Sequence, residues 1–326
     1  MRRETFSSWL SNSSWLNNLT TSFFLTNAQT IGTCFGFAVR SSLPFYYLRS
    51  GDGEPLDVSA PSCIDDGDVG ELLIEWAPTP QSPFEGRLFK KATRLFLQMG
   101  GAGWFVIDTE ESSITLPEQA DLVRREERLW SLPATLCFLA RGDLPLHAAA
   151  VEVDGDALVI GAPRTFGKTT LAAGFVNAGY RLLSEDITCL RIASDTLAIP
   201  GPAMLRVRPD VAERMEIKHA TQLGETDDRV HFALEEDARG DGRPVPVRAV
   251  VLLRESDDGF RLESAPSTEV VRDLWPLTFG LPTEHDRARA FAGLVDLARF
   301  VPISNLYRPR RFEDLAATVE YLVDAF

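Results

Sequence analysis

The chain has 326 residues, 44% of them hydrophobic and 25% charged, enough for one large or two ordinary globular domains, each with its own core. Its net charge of −14 argues against a nucleic-acid partner, because the one compact basic run, Arg308-Pro309-Arg310-Arg311, reads as solvated surface. No stretch approaches the ~20 apolar residues of a membrane span, and Glu4–Asn27 lacks the apolar centre and small-residue cleavage site of a signal peptide. A cytoplasmic protein with no membrane partner is therefore expected, and the sequons at Asn12 and Asn18 then carry no meaning. The four cysteines, Cys34, Cys63, Cys137 and Cys189, are scattered and form no CxxC, so buried thiols are expected rather than a metal site or a disulfide framework.

Residues 1–30 are polar and aromatic, with Trp9, Trp15, Phe23 and Phe24, and read as an extension forming a short amphipathic helix or a flap. Residues 31–141 form a β-rich N-terminal domain. Short apolar runs at Gly36–Val39, Leu72–Trp76, Leu95–Met99 and Trp104–Ile107 are separated by Gly, Pro, Asp and Ser clusters. Leu122, Leu129, Leu132, Leu136 and Leu139 predict a helix over 118–141, which Pro133 kinks or splits.

Residues 142–326 have a different character. LPLHAAAVEV, the turn Asp154-Gly155-Asp156 and ALVIG predict a β-hairpin. A loop and a helix ending at Gly179 follow, then the strand YRLLS, and the whole predicts a βαβ unit of an α/β core. RAVVLLRE at 248–255 reads as a buried strand, the charged stretch Asp227–Arg243 as an exposed mobile loop, and 267–299 as helical. Phe312–Phe326 is predicted to be a final amphipathic helix with Leu315, Val319 and Leu322 on one face.

The chemistry lies in GAPRTFGKTT, which matches G-x-x-x-x-G-K-[ST] through Gly161, Gly167, Lys168 and Thr169 and stands between a strand and a helix. In such a loop the backbone N–H groups and the helix N-terminus face phosphates, a lysine reaches the β- and γ-phosphates, and the hydroxyl ligates Mg²⁺. The cofactor-binding stretch is accordingly Gly161, Ala162, Pro163, Arg164, Thr165, Phe166, Gly167, Lys168, Thr169 and Thr170, with ATP and Mg²⁺ expected. The interior Ala-Pro-Arg-Thr-Phe is bulky for a P-loop. Phe166 is placed to stack near the nucleotide, and Arg164 either touches a phosphate or points to solvent.

A P-loop needs acids at the end of a neighbouring strand, and Glu185-Asp186 follows YRLLS. One carboxylate can hold Mg²⁺ while the other accepts the proton of an attacking hydroxyl. His147 precedes the hairpin and reads either as a member of this site or as a core histidine. His219, His231 and His285 lie in polar contexts without metal spacing.

The stretch 146–190, LHAAAVEVDGDALVIGAPRTFGKTTLAAGFVNAGYRLLSEDITCL, resembles the core of HPr kinase/phosphorylase and its smaller relatives, whose fold is shared with phosphoenolpyruvate carboxykinase. The resemblance implies a P-loop kinase core of that type, α/β (α+β overall), carrying a smaller β-rich N-terminal domain. It implies His147 as the site histidine, Lys168 and Thr169 as the Walker A pair, Glu185 as catalytic base, and Asp186, with Thr169, on the metal. The chain has Glu-Asp where the group usually has Asp-Asp, Thr170 where the bifunctional enzymes have Glu, and no convincing Glu-Arg-Gly signature downstream. These departures point away from phosphorylase activity and from HPr as the substrate.

A further resemblance, extending through Pro200-Gly201-Pro202-Ala203-Met204-Leu205-Arg206, is to HPr-kinase-like proteins encoded beside peptide-modification genes, including those of lasso peptide pathways. It implies a one-way ATP-dependent kinase acting on a Ser or Thr hydroxyl of a peptide or protein, with Arg206 or Arg208 stabilising the transferring group. A non-catalytic nucleotide-binding peptide-recognition module, or a plain NTPase, is the rival expectation. A homo-oligomer is left open.

Overall fold

The computed structural model describes residues 29–60, 69–78, 84–118, 121–226, 228–279 and 281–326. The extension expected at 1–30, apart from its last residues, and Cys63 lie outside the described residues.

The N-terminal part is one eight-stranded sheet of β1 (Thr30–Cys34), β2 (Phe37–Arg40), β3 (Glu54–Ser59), β4 (Glu71–Trp76), β5 (Gly86–Lys91), β6 (Arg94–Met99), β7 (Gly103–Asp108) and β8 (Ser113–Thr115). Its order is β1-β2-β3-β8-β7-β6-β5-β4. Strands β4 to β7 form an antiparallel meander, while β3 runs parallel to both β2 and β8. Alternate residues turn inward, so Leu88, Leu97, Phe105 and Ile107 are buried. The sheet packs on α1 (Leu122–Leu129) and α2 (Leu132–Arg141) through Leu129, Trp130 and Phe138. The helix expected over 118–141 is therefore two helices. The break at Trp130–Ser131 places Pro133 in the first turn of α2, where its missing N–H costs nothing.

The second part is built on β9 (Leu144–Leu146), β10 (Ala148–Val153), β11 (Asp156–Gly161), α3 (Lys168–Asn177), β12 (Arg181–Ser184), β13 (Thr188–Arg191) and β14 (Leu197–Ile199). There follow β15 (Met204–Val207), α4 (Pro209–Arg214), β16 (Ala220–Glu225), β17 (Val230–Leu234), α5 (Glu236–Arg239) and β18 (Val245–Glu255). The chain closes with β19 (Arg261–Ser264), α6 (Ser267–Leu274), α7 (Glu284–Phe300), β20 (Ile303–Arg308) and α8 (Leu315–Ala325). The main sheet has the order β12-β10-β11-β18-β14-β13-β9, with β20 beside β18 and β19 on β20. The β10–β11 hairpin closes through Asp154 (φ 51°) and Gly155 (φ 86°), the two left-handed residues that an Asp-Gly turn supplies. β11, β18 and β20 are mutually parallel. β12 runs antiparallel to β10, and hence parallel to β11 with β10 between them. The expected βαβ unit is thus present, with a hairpin strand inserted in it. α3 buries Leu171, Phe175 and Val176 against the sheet and against Leu315, Val319 and Leu322 of α8, the face expected of the last helix. Burying each such side chain contributes about 1.5–3 kcal/mol.

Five expectations need correction. The segment Asp227–Arg243 is not an exposed loop. Its apolar run VHFAL is β17, the middle strand of the small sheet β15-β17-β16, and His231 on it is fully buried rather than in polar surroundings. The charges on either side of VHFAL masked it. LPLHAAAVEV is not one strand: it breaks at His147, whose N–H donates to Leu277 O at 2.7 Å, so β9 pairs with β13 and β10 with β11 and β12. The helix expected over 267–299 is interrupted between Leu277 and Glu284, a stretch containing Pro282. The final helix begins at Leu315, after a 3-10 turn at Phe312–Asp314. In the basic run, Arg308 is only 5% exposed.

The two parts share a hydrophobic cluster in which Ile187, Cys189, Ile199 and Met204 join Phe35, Tyr47 and Trp130. Polar ties reinforce it. The buried Arg49 donates to the carbonyls of Leu182, Leu183 and Gly201, and Tyr47 O accepts from Ala203 N. Cys34, Cys137 and Cys189 are buried free thiols, and burial pushes all three up, Cys137 to about 12. Among the described residues no helix is long and apolar enough to cross a membrane.

Candidate active site

β11 delivers the chain to Gly161, and α3 begins at Lys168, so residues 162–167 form the loop between a central parallel strand and a helix N-terminus. Ala162 is buried, Pro163, Arg164 and Thr165 are exposed, and Phe166 is half-buried. Thr165 (φ 70°) and Gly167 (φ 83°) are left-handed. Glycine is favoured at 167 by the left-handed backbone angle, and a β-carbon there would press on Arg308 Nη2 at 3.0 Å. α3 has no side-chain cap, which leaves its first N–H groups and the positive end of its dipole available to an anion.

β12 ends at Ser184, and the next two residues are the acids. Their side chains meet the start of α3. Thr169 Oγ1 donates to Glu185 Oε1 at 2.9 Å, and Lys168 Nζ donates to Asp186 Oδ1 at 3.2 Å. His147, held at the break between β9 and β10, places Nε2 2.9 Å from the same Asp186 Oδ1. Lys168, Thr169, Glu185, Asp186 and His147, all sequence candidates, are therefore brought together. The two carboxylates differ in access: Glu185 is 5% exposed at its side chain, against 37% for Asp186. Burial pushes the Asp186 carboxyl up, but Lys168, the hydrogen bond from His147 and Arg206 outweigh it and hold the group well below the usual carboxylate range.

Arg206, on β15, closes the cluster. Its Nε donates to Glu185 Oε2 at 3.0 Å and its Nη2 to Asp186 Oδ2 at 3.1 Å. Its Nη1 donates to Glu127 Oε1 at 2.8 Å, and Glu127 lies on α1 of the N-terminal part. Burial lowers the guanidinium, yet Glu185, Asp186 and Glu127 together raise it well above its ordinary value, so it stays charged. Of the two arginines left open by the sequence, Arg206 is in the cluster, and Arg208 is exposed and paired with Asp210. Glu127 gave no sequence signal, because it meets Arg206 from 79 residues away. Behind it His231 Nε2 lies 3.9 Å from Glu127 Oε2, and burial holds the imidazole below its usual range.

A cleft with about 310 Å³ of empty volume, counting its part open to solvent, lies over the acids. Phe35, Trp130, Pro202 and Met204 form its apolar wall, with Glu185, Asp186 and Arg206 on its polar side.

The donor set suits a nucleotide carrying Mg²⁺. The hydroxyl of Thr169 and the Glu185 carboxylate are the hard oxygen ligands that this ion takes alongside phosphate oxygens. Among the described residues no three His, Cys, Asp or Glu are grouped so as to hold a metal ion by themselves.

No protein-family model and no curated protein matches the chain. Among solved structures, the HPr(Ser) kinase/phosphatase from Coxiella burnetii is similar over 56% of this chain and 94% of that one, with a TM-score of 0.31 and 12% identity. The mixed α/β architecture with a β-rich N-terminal part rests on the strand order described above.

Proposed function

We propose that the protein is an ATP-dependent phosphotransferase acting on a Ser or Thr hydroxyl of a flexible peptide or protein segment, a ribosomal precursor peptide such as a lasso precursor included. The observation that carries this reading is the single hydrogen-bonded set linking Lys168 and Thr169 of the phosphate loop to Glu185, Asp186 and His147.

Lys168 and the loop N–H groups grip the phosphates. Thr169 and Glu185 would hold Mg²⁺, which would supply positive charge to the phosphates. Asp186 is the accessible carboxylate and the one bonded to His147, so it receives the acceptor's proton, with His147 orienting it. This exchanges the roles given to the two acids by the resemblance, because the metal-binding hydroxyl of Thr169 lies on Glu185. The acceptor oxygen bonds to the γ-phosphorus, the bond to the β–γ bridging oxygen breaks, and ADP leaves. Arg206 faces the charge that develops on the transferring group. Its present hold on both acids also suits the rival module, which binds nucleotide without transfer.

Incubating the protein with Mg-ATP and candidate peptides, followed by mass spectrometry, separates the readings. The kinase yields ADP and a phosphopeptide, an NTPase yields ADP and free phosphate, and the module yields neither. Lys168→Ala removes product in the first two cases. Efficient dephosphorylation of the phosphopeptide by excess inorganic phosphate or ADP would refute a one-way enzyme, and preferential labelling of folded HPr would refute a peptide acceptor.

A further inference from the structure

The parallel strands β11, β18 and β20 release their chains at the same sheet edge, so Gly161, Glu255 and Arg308 emerge together. The acids lie on the other flank of the phosphate loop, beyond β10 at the end of β12. A nucleotide whose γ-phosphate meets Lys168 and Asp186 must carry its nucleoside away from that flank, toward β18 and β20. There Phe166, Leu253, Arg254, Glu255, Arg308 and Arg310 line a shallow surface depression that encloses no space of its own.

One of these side chains, Arg308, is a buried cation, 5% exposed, with no carboxylate partner within 4 Å among the described residues. Its Nη2 donates to Phe166 O and its Nη1 to Pro309 O, both at 3.1 Å, and its Nε has no acceptor. A buried guanidinium satisfied only by carbonyls is costly unless an anion comes to it. Arg310 is 44% exposed at its side chain, lies 3.5 Å from Glu255, and sits 5.7 Å from the centre of the Phe166 ring. The Phe166 ring and the Arg310 guanidinium are flat, partly exposed groups next to the loop, each with a face on which a planar base can stack once they part.

We propose that the Phe166–Arg310 pair is the base platform of the bound nucleotide, and that Arg308 supports the loop from behind while facing the phosphate next to the ribose. The assignment rests on the nucleotide reading of the loop and adds to it a site for the nucleoside. It gives the basic segment at 308–311 a role in an otherwise acidic chain.

Titration calorimetry of the full chain with Mg-ATP and with Mg-tripolyphosphate, which has no nucleoside, tests it. The wild type should bind ATP about tenfold or more tighter than tripolyphosphate, the scale of one base–aromatic stack. Phe166→Ala and Arg310→Ala should each weaken ATP about tenfold more than they weaken tripolyphosphate. Lys168→Ala should weaken both ligands. If the wild type binds both ligands equally and the two variants change nothing, the base platform is refuted while the phosphate loop stands. An equal loss of ATP and tripolyphosphate in Phe166→Ala and Arg310→Ala would also refute it, since those side chains would then act only through the loop. If the wild type binds neither ligand, the nucleotide reading and the platform fall together.

Discussion

Arg206→Ala should convert the most heavily paired cation of the site into a vacancy surrounded by three carboxylates. In the wild type the guanidinium is 14% exposed and meets Glu185, Asp186 and Glu127 at 3.0, 3.1 and 2.8 Å. Removing one member of a buried ion cluster costs about 3–5 kcal/mol. Solvent reaches Asp186 and Glu127, which are 37% and 23% exposed, so the lower end of about 3 kcal/mol applies. In a chain of this size that is a fall in Tm of roughly 4 °C. The vacancy is itself a cation site. With a Kd of about 0.1–1 mM, Mg²⁺ at about 10 mM would restore roughly 1.5–3 kcal/mol. Thermal unfolding of both proteins, with and without MgCl₂, reads this directly. The variant should be the less stable protein without Mg²⁺ and should gain clearly more from it than the wild type. Equal Mg²⁺ responses would refute the placement of three carboxylates around Arg206.

The acids can be separated by chemistry. Glu185→Gln should raise the Mg²⁺ concentration needed for transfer, and Asp186→Asn should keep nucleotide affinity while losing about 10²–10⁴-fold in rate; the opposite pattern in transfer assays at varied Mg²⁺ returns the proton to Glu185. Glu126 is fully buried, and burial lifts its carboxyl to about 7 despite hydrogen bonds from Tyr46 N, Trp130 Nε1 and Tyr47 N. A folded value above the unfolded one means stability that is complete below about pH 4.5 and lost as pH rises through 7, about 3 kcal/mol in all. Glu126→Gln should flatten the fall in Tm over that window, while the depressed Asp186 acts only at lower pH, where stability falls as pH falls. Gly167→Ala forces an alanine to φ 83° against Arg308, so it should cost about 1–2 kcal/mol in denaturant melts and weaken Mg-ATP binding in titrations.

The strand–loop–helix at Gly161–Lys168 and the acids that meet it were legible because their signals are local. A hairpin turn, an apolar strand, two glycines and a helix stand in one stretch of about forty residues, and the acids end the following strand. What the sequence concealed depends on distant partners. The Glu127–Arg206 pair spans 79 positions. Arg308 looks like solvated charge until β20 is laid beside β18 and its side chain turns under the loop. VHFAL was hidden because five apolar-rich residues between charged flanks carry no periodicity that distinguishes a buried strand from a loop. In the N-terminal sheet, the most apolar runs were visible, whereas β1, β3 and β8 are short or polar and owe their place to their neighbours.

The parallel pairing of β11 with β18 also sets a timetable. Ala157 pairs with Val247, 90 residues later in the chain. At about 5–20 residues per second, a ribosome needs roughly 5–20 s to deliver that partner. Throughout that interval the strand ALVIG has only β10 along its edges. Its other edge, the one that will sit at the centre of the finished sheet, is open to any extended chain nearby. The strand that leads into the Gly161–Gly167 loop thus waits 90 residues of chain for its second neighbour. Synthesis rate and chaperone supply should govern the yield of active protein more than the stability of the finished fold.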